Sequence, residues 1–299
     1  MEKSLDDVKR VLDVLSDIYD VVRIVDPIFN KVIYNGHNSK VPPSTVCYNV
    51  LEKNKFCSNC IALRALSENK TLIKFEILNN ECCMVTGIPF LYKGGRYAIE
   101  LLQDITHKSV WNSVISNTEE NFTEAILRLN DSLFKDILTD VFNRRFINER
   151  LPVEIFKQSI SDFPACLFMI DINYFKRIND TYGHQSGDAV LQQFASALKE
   201  KIPNSTSWVA RYGGDEFLIY LDQVTRGQAQ IIATKICRNI DQYSFNSENR
   251  IIKTTCSIGA CMLQKDMDMA AWIKTADKNL YIAKSKREDK IICGIMHGI

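Results

Sequence analysis

The run Arg211-Tyr212-Gly213-Gly214-Asp215-Glu216-Phe217 sets two adjacent carboxylates directly behind two glycines. β-Prone arms flank it, Trp208 to Tyr212 on one side and Phe217 to Leu221 on the other, so the carboxylates read as the tip of a β-hairpin. Glycines allow a tight turn and leave room for a bulky polyanion near the main chain. Paired carboxylates are costly unless positive charge sits between or beside them. A divalent metal carrying a nucleoside triphosphate meets that demand; a solvent-exposed acidic turn is the plainer reading. A second element bears on the choice. Ala165 to Ile170 is a continuous apolar run, as expected of a strand buried on both faces, and it ends at Asp171. Mg²⁺ is usually held by one or two carboxylates plus substrate phosphates. Asp171 and Asp215 supply those two if strand and hairpin are neighbours in one sheet.

These residues carry a family resemblance. The hairpin resembles the GGDEF signature of diguanylate cyclases in full. The stretch from Asp171 to Asp188 resembles the family pattern D-x-D-x-F-K-x-I-N-D-x-x-G-H-x-x-G-D, with Asn173 where the second Asp is usual. Upstream, Asp136-Ile137-Leu138-Thr139-Asp140-Val141-Phe142-Asn143-Arg144-Arg145 resembles the lead-in motif D-x-L-T-x-L-x-N-R-R, with Val141 for Leu. The resemblance runs from Asp136 to about Ile292. It implies a catalytic domain of the α/β (α+β) class, a palm-like central sheet flanked by helices, that joins two GTP molecules into cyclic di-GMP with Mg²⁺ or Mn²⁺.

Roles follow from the resemblance position by position. Asp171 and Asp215 would hold the metals, with the Ile172 carbonyl as a further oxygen ligand. Asp215 or Glu216 would take the proton of the attacking hydroxyl, and the family pattern favours Asp215. Lys176 would stabilise charge on the pentavalent phosphorus, assisted by Arg211; its plain alternative is an exposed helix lysine. Asn179 and Asp188 would read guanine. A carboxylate accepts from N1–H and the exocyclic amine together, and an Asn amide donates to a purine acceptor. Adenine would leave such groups unpaired, which can reject it by about 10⁴ or more. Family members that make mixed GMP–AMP products usually carry Ser at the position of Asp188. Asp188 also reads as a helix N-cap before Ala189-Val190-Leu191. His184 would contact substrate or stabilise the turn from Thr181. Lys284 would contact phosphates. The usual x-x-G-R-N after it is here Ser285-Lys286-Arg287-Glu288-Asp289, with Glu288 at the arginine position. The R-x-x-D product-binding site of many members is here Asn204-Ser205-Thr206-Ser207. Both charged groups are missing, which predicts no tight product inhibition there.

Composition bounds the rest. A chain of 299 residues suggests about two domains. A formal net charge of +1 gives no bias towards nucleic acid or an anionic membrane surface. No apolar run approaches the roughly 18 residues of a membrane span, and MEKSLDDVKR lacks the apolar core of a signal peptide. The expectation is a cytoplasmic chain whose ten cysteines are largely reduced. The expected domains are a helix over 1–20, a sensor domain over 21–106, a linker helix over 107–135 and the catalytic domain over 136–299. Leu5, Val8, Leu12, Leu15 and Ile18 give the first helix an apolar stripe over Ser4 to Tyr19.

The segment from Val21 to Thr106 resembles a PAS-type sensor, an α+β domain. Val22 to Asp26 and Lys31 to Tyr34 fit its opening hairpin, and Asp104-Ile105-Thr106 fits its closing triplet. Inside lie Cys47-Tyr48 and Cys57-Ser58-Asn59-Cys60, similar to a PAS subgroup with C-Y followed by C-x-x-C. With Cys83, Cys82 or His37 as fourth ligand, Cys47, Cys57 and Cys60 can hold Zn²⁺ or an iron–sulfur cluster; they also read as ordinary buried thiols. Between the domains, Ile115, Thr118, Phe122, Ile126, Leu129 and Leu133 recur at three- and four-residue steps, a stripe suited to a parallel two-stranded seam or to packing on the helix's own domain. A homodimer is expected, because each 3′-hydroxyl must attack the other nucleotide's α-phosphate across a two-fold axis. Two readings compete with the enzyme: a non-catalytic receptor for GTP or cyclic di-GMP, and a metal or redox sensor whose GGDEF part is a dimerisation platform.

Overall fold

The computed structural model describes residues 5–37, 45–48, 57, 60–78, 81–106, 133–161, 163–247, 250–285 and 293–295. The chain divides into two compact units, Met1–Asp131 and Ser132–Ile299. The linker stripe from Ile115 to Leu129, and Lys286 to Asp289, lie outside the described residues. No helix among the described residues is long and apolar enough to cross a membrane.

The first unit begins with α1 (Leu5–Leu15). The helix stops short of the Tyr19 limit expected from the stripe, and Ile18 is exposed in the turn that follows. Strands β1 (Val21–Asp26), β2 (Lys31–Asn35), β3 (Leu72–Leu78), β4 (Glu81–Tyr92) and β5 (Gly95–Asp104) form a five-stranded sheet in the order β2-β1-β5-β4-β3, every pair antiparallel. The expected hairpin is β1–β2. Val8 and Leu12 of α1 pack with Val22, Ile24 and Leu101 on one face. On the other face, α2 (Ile61–Glu68) packs through Ile61 against Cys83, Val85 and Leu102. At Thr106 the chain is pinned: its hydroxyl accepts from Cys82 N–H at 2.8 Å and donates to Asp104 Oδ1 at 2.6 Å.

The second unit is built around strand β6 (Ala165–Ile172), buried at every position. The sheet order is β12-β11-β6-β8-β7, with β7 (Trp208–Gly213), β8 (Glu216–Asp222), β11 (Cys256–Met262) and β12 (Cys293–Ile295). β6 lies antiparallel between β8 and β11, and β12 joins β11 in parallel. The two-residue period of a strand divides the core. Cys166, Phe168, Ile170 and Ile172 of β6, with Phe217, Ile219 and Leu221 of β8, face the core shared with α4 (Phe175–Tyr182), α5 (His184–Lys199) and α6 (Arg226–Gln242). Ala165, Leu167 and Met169, with Leu218 and Tyr220, face α3 (Arg144–Ser161) and α7 (Met269–Ser285). A small hairpin, β9 (Phe245–Ser247) with β10 (Arg250–Ile252), follows α6.

Helix α7 comes unusually close to the sheet. A Cβ on Gly259 of β11 would stand 2.1 Å from the Leu280 backbone nitrogen and 2.2 Å from the Ala276 carbonyl oxygen, so only glycine fits there. Trp272 Nε1 donates to Cys261 O at 2.8 Å and Asn279 Nδ2 to Ala260 O at 2.7 Å, which fixes the helix along the strand. The inner face of α3 buries charged side chains beside the apolar Phe146, Ile147 and Leu151. Arg150 pairs with Glu154 at 2.6 Å, and Lys157 pairs with Asp222 at 2.8 Å, all four buried. Gln158 Nε2 donates to Tyr220 Oη and Asp222 Oδ1. Buried charges of this kind need every partner they have.

Candidate active site

Strand parity decides which way Asp171 points. Two residues beyond Met169, it lies on the α3/α7 side of the sheet, with its register partner Glu216 at the start of β8. Ile172, one step on, turns to the other side, and its N–H donates to the Asp215 carbonyl at 3.3 Å. The predicted neighbourhood of strand end and hairpin tip is therefore present. Gly213 closes β7 opposite Glu216, the turn is made by Gly214 and Asp215, and Gly214 has φ +53°, which favours glycine.

Helix α7 completes the cluster from above. Lys284 Nζ stands 2.6 Å from Asp171 Oδ2. Asp277 lies seven residues earlier, two helical turns down the same face. The carboxyl of Glu216 is held above the ordinary range, first by burial and then by the negative charges of Asp171, Asp215 and Asp277; Lys284 opposes them. Asp277 was not among the expected site residues. Its seven-residue spacing from Lys284 was the available signal. Mg²⁺ and Mn²⁺ take hard oxygen donors, often one or two carboxylates with substrate phosphates, so Asp171 and Asp215 at neighbouring strand ends fit such an ion in chemistry, while no three acidic side chains among the described residues are grouped as ligands.

The guanine-reading candidates lie where α4 meets α5. A Cβ on Gly187 would meet Asn179 Oδ1 at 1.9 Å, so that glycine leaves the Asn179 side chain its place beside the first turns of α5. Helix α5 starts at His184, after Gly183 at φ +85°. The N-cap is Gly183, without a side-chain cap, so Asp188 sits inside the helix and does not cap it. Asp188 and His184 are exposed, as is Lys176 on the first turn of α4. Asn173, the departure from the family pattern, is fully engaged. Its Nδ2 donates to Thr255 Oγ1 at 2.8 Å, its Oδ1 accepts from Ser257 Oγ at 2.8 Å, and its N–H donates to Thr255 O. A neutral amide suits that two-way exchange, which ties the end of β6 to β11.

Arg211 has two specific partners. Its Nε donates to the Gly214 carbonyl at 2.9 Å, across the turn, and its Nη1 lies 3.1 Å from Asp136 Oδ1. Asp136 also accepts from the N–H and hydroxyl of Thr139, at 3.0 and 2.7 Å. Burial works against ionisation of Asp136. The Thr139 hydrogen bonds and the Arg211 charge outweigh it and hold the carboxyl below its usual range. The rest of the lead-in follows the same course. Arg211 N–H donates to Phe142 O at 2.7 Å, and Arg144 stacks over the Tyr212 ring at 4.6 Å. Asn143 caps α3 by accepting from Phe146 N–H, while its Nδ2 donates to the carbonyls of Leu133 and Lys135. The lead-in segment is thereby bonded to both the hairpin and the first helix of the unit.

In the N-terminal unit, Cys47 and Cys60 are buried and Cys57 is half-buried. Burial first, then the neighbouring Cys60, Glu100 and Cys57, push the Cys47 thiol well up, with Arg23 opposing. Arg23 and Glu100 form a buried pair on facing positions of β1 and β5, and Arg23 Nη1 donates to Cys47 O at 2.9 Å. Cys83 packs among Ile61, Val85 and Leu102. Cys82 lies on the same strand, and His37 faces Asp13 and Asp17. Among the described residues, no three His, Cys, Asp or Glu side chains are grouped as metal ligands.

The family profile described as diguanylate cyclase, GGDEF domain, matches residues 133–290. Diguanylate cyclase DosC of Escherichia coli is 34% identical over 157 residues, 52% of this chain and 34% of that protein. The chain thus spans about a third of the length of such curated relatives. Diguanylate cyclase SiaD of Pseudomonas aeruginosa, solved with its activator SiaC, superposes with a TM-score of 0.51 at 26% identity, over 60% of this chain and 68% of that one. The coiled coil and GGDEF domain of DgcB from Caulobacter crescentus, solved with c-di-GMP, gives a TM-score of 0.54 at 23% identity, over 60% and 96%, and establishes the fold.

The Asp136–Arg211 pair generates a pH-dependent prediction. A carboxyl held below its usual range contributes stability that is present above about pH 4, its unfolded value, and lost as pH falls through the lower folded value. Asp136→Asn should therefore weaken the second unit by about 1.5–3 kcal/mol at neutral pH, the range for hydrogen bonds to charged groups. The gap from the parent should close on acidification below about pH 4. Urea unfolding of both proteins at several pH values measures this, and a gap independent of pH would contradict it.

Proposed function

This chain belongs to the diguanylate cyclase GGDEF-domain family through residues 133–290, and from that premise we propose that it condenses two GTP molecules into cyclic di-GMP and two pyrophosphates. The observation that carries the reading is the group of Asp171, Asp215 and Glu216 at neighbouring strand ends, with Lys284 and Asp277 brought over it by α7. Each 3′-hydroxyl oxygen bonds to the other nucleotide's α-phosphorus, the bond from that phosphorus to the β-phosphate bridging oxygen breaks, and the hydroxyl proton passes to Asp215 or Glu216. Asp171, Asp215 and the Ile172 carbonyl would hold a divalent cation, which would supply neutralisation of the triphosphate and a lowered pKa for that hydroxyl. Lys176 stabilises charge on the pentavalent phosphorus, and Arg211, bonded to the Gly214 carbonyl, holds the turn beneath it. Asn179 and Asp188 read guanine, with His184 beside them. Lys284 meets the phosphates. The active form is a homodimer, because the two half-sites must face each other.

The N-terminal unit is read as a PAS-like sensor that sets the alignment of the two catalytic units through the linker helix. Its β1–β2 hairpin and the pinned Asp104–Thr106 triplet support that reading. Cys47, Cys57 and Cys60 are the candidate ligands of Zn²⁺ or an iron–sulfur cluster. As soft donors in mutual range they fit such a group in chemistry, but their arrangement holds no three-ligand set, so no step is assigned to a metal there. The reading also includes a cytoplasmic location, consistent with a product that acts as a soluble signal.

Three measurements test these statements. With GTP and Mg²⁺, the full chain should form cyclic di-GMP, and Asp215→Ala should lower turnover by about 10²–10⁴-fold, the contribution of a positioned base. Near-parental turnover in a folded variant would refute the assignment, while binding of GTP or cyclic di-GMP without turnover in the parent would make the chain a receptor. Added cyclic di-GMP should leave initial rates unchanged through the Asn204–Ser207 surface. There Asn204 Oδ1 already accepts from Thr206 and Ser207, and its Nδ2 donates to Asp222 O; non-competitive inhibition at low micromolar product, mapping to that turn, would count against this. Cys57→Ser with Cys60→Ser should lose bound zinc or iron and lower the melting temperature of the first unit. Equal metal content and melting temperature would assign the cysteines to packing.

A further inference from the structure

The ion pair between Lys284 and Asp171 joins two groups whose proposed duties lie elsewhere, the carboxylate with a cation and the ammonium with phosphates. This inference rests on the catalytic reading above. Lys284 Nζ lies 2.6 Å from Asp171 Oδ2, with the carboxylate almost fully buried and the lysine about a third exposed. Mg²⁺ takes carboxylate oxygens at about 2.0–2.1 Å and dehydrates reluctantly. A divalent cation on Asp171 therefore meets this ammonium at close range, and the two repel. Helix α7 cannot back away to relieve the conflict, because its backbone rests on Gly259 and is bonded to β11 through Trp272 and Asn279. The side chain of Lys284 can move, since four methylenes carry the charge and its outer part reaches solvent.

We propose that Lys284 and the divalent cation are alternative counter-ions of Asp171, so that loading of the cation hands Lys284 over to the triphosphate. One residue then couples the two binding events. By reciprocity, the cation raises nucleotide affinity by the same factor as the nucleotide raises cation affinity. Lys284 acts here as a positioning residue for the cation and as a direct contact for the nucleotide. It weakens cation binding on its own and strengthens nucleotide binding once displaced. Asp277, on the same face of α7, and Glu216 supply further negative charge to the group around it.

The test uses the full chain and measures binding, not turnover. Mn²⁺ binding without nucleotide, followed by the electron paramagnetic resonance of the free ion, should tighten by about tenfold in Lys284→Gln, and should stay within about twofold of the parent in Lys284→Arg, which keeps the charge. Affinity for a non-hydrolysable GTP analogue should fall in Lys284→Gln, and the factor by which Mn²⁺ enhances that affinity should shrink towards one. A second measurement needs no variant. Acylation of Lys284 by an amine reagent, followed by mass spectrometry, should rise when Mn²⁺ alone is added, because the amine leaves its carboxylate. Unchanged or weaker Mn²⁺ binding in a folded Lys284→Gln, or acylation indifferent to Mn²⁺, overturns the proposal. Since none of these readouts needs cyclic di-GMP formation, exchange without turnover would spare this inference and sink the catalytic reading; turnover without exchange would do the reverse.

Discussion

A strand with no exposed face imposes the geometry on which the second unit depends. Every residue of β6 is buried, so alternate side chains must satisfy two different cores, and neither can be shifted by one position without turning both inside out. The run of apolar residues ends at Asp171, and parity sends that carboxylate to the side covered by α3 and α7. Glu216 follows by pairing, and Asp215 follows Glu216 at the turn. The site is thus acidic because of where the strand stops. The packing of α7 onto Gly259 then delivers Lys284 and Asp277 to the same place, with no loop between the sheet and the charged groups.

The second fixed point is the union of the lead-in with the hairpin. Asp136, Phe142 and Arg144 each bond or stack on Arg211 or Tyr212, and Asn143 holds the carbonyls of Leu133 and Lys135 while it caps α3. The residues that enter the unit are therefore bonded to the arm that carries Asp215. A rotation or shift imposed at Leu133 reaches the hairpin tip through a few short polar contacts. These contacts use the residues that make the D-x-L-T and N-R-R positions recognisable.

Much of the site was legible in the chain because its elements are short and their signals local. The glycine pair, the apolar run ending in Asp171 and the hairpin arms all appear where their patterns put them. The misses have common causes. The N-cap reading of Asp188 failed because Gly183, at positive φ, opens the helix at His184; glycine leaves no side-chain signature of a cap. The salt bridge of Arg211 to Asp136 spans 75 residues, and nothing in local spacing announces it. The inner face of α3 was unreadable as core because Arg150, Glu154 and Lys157 look solvent-facing until their buried partners on the helix and on β8 are known. Asn173 stands where the family pattern has Asp. In place it is a hydrogen-bonding bridge between β6 and β11.

The unequal burial of the ion pairs makes ionic strength a selective reagent. Asp140, 78% exposed, ties the lead-in to Lys135 and Lys199. Lys157 and Asp222, at 2% and 0%, lie where mobile ions do not enter. At 1 M salt the screening length is about 3 Å, comparable to the separations of the exposed pairs, while the enclosed pair is screened far less. Concentrated salt would therefore loosen the hold of Asp140 on the lead-in while the sheet and α3 stay locked. The ionic strength of the medium would then set how firmly the Lys135–Asp140 stretch is held to Lys199 on α5.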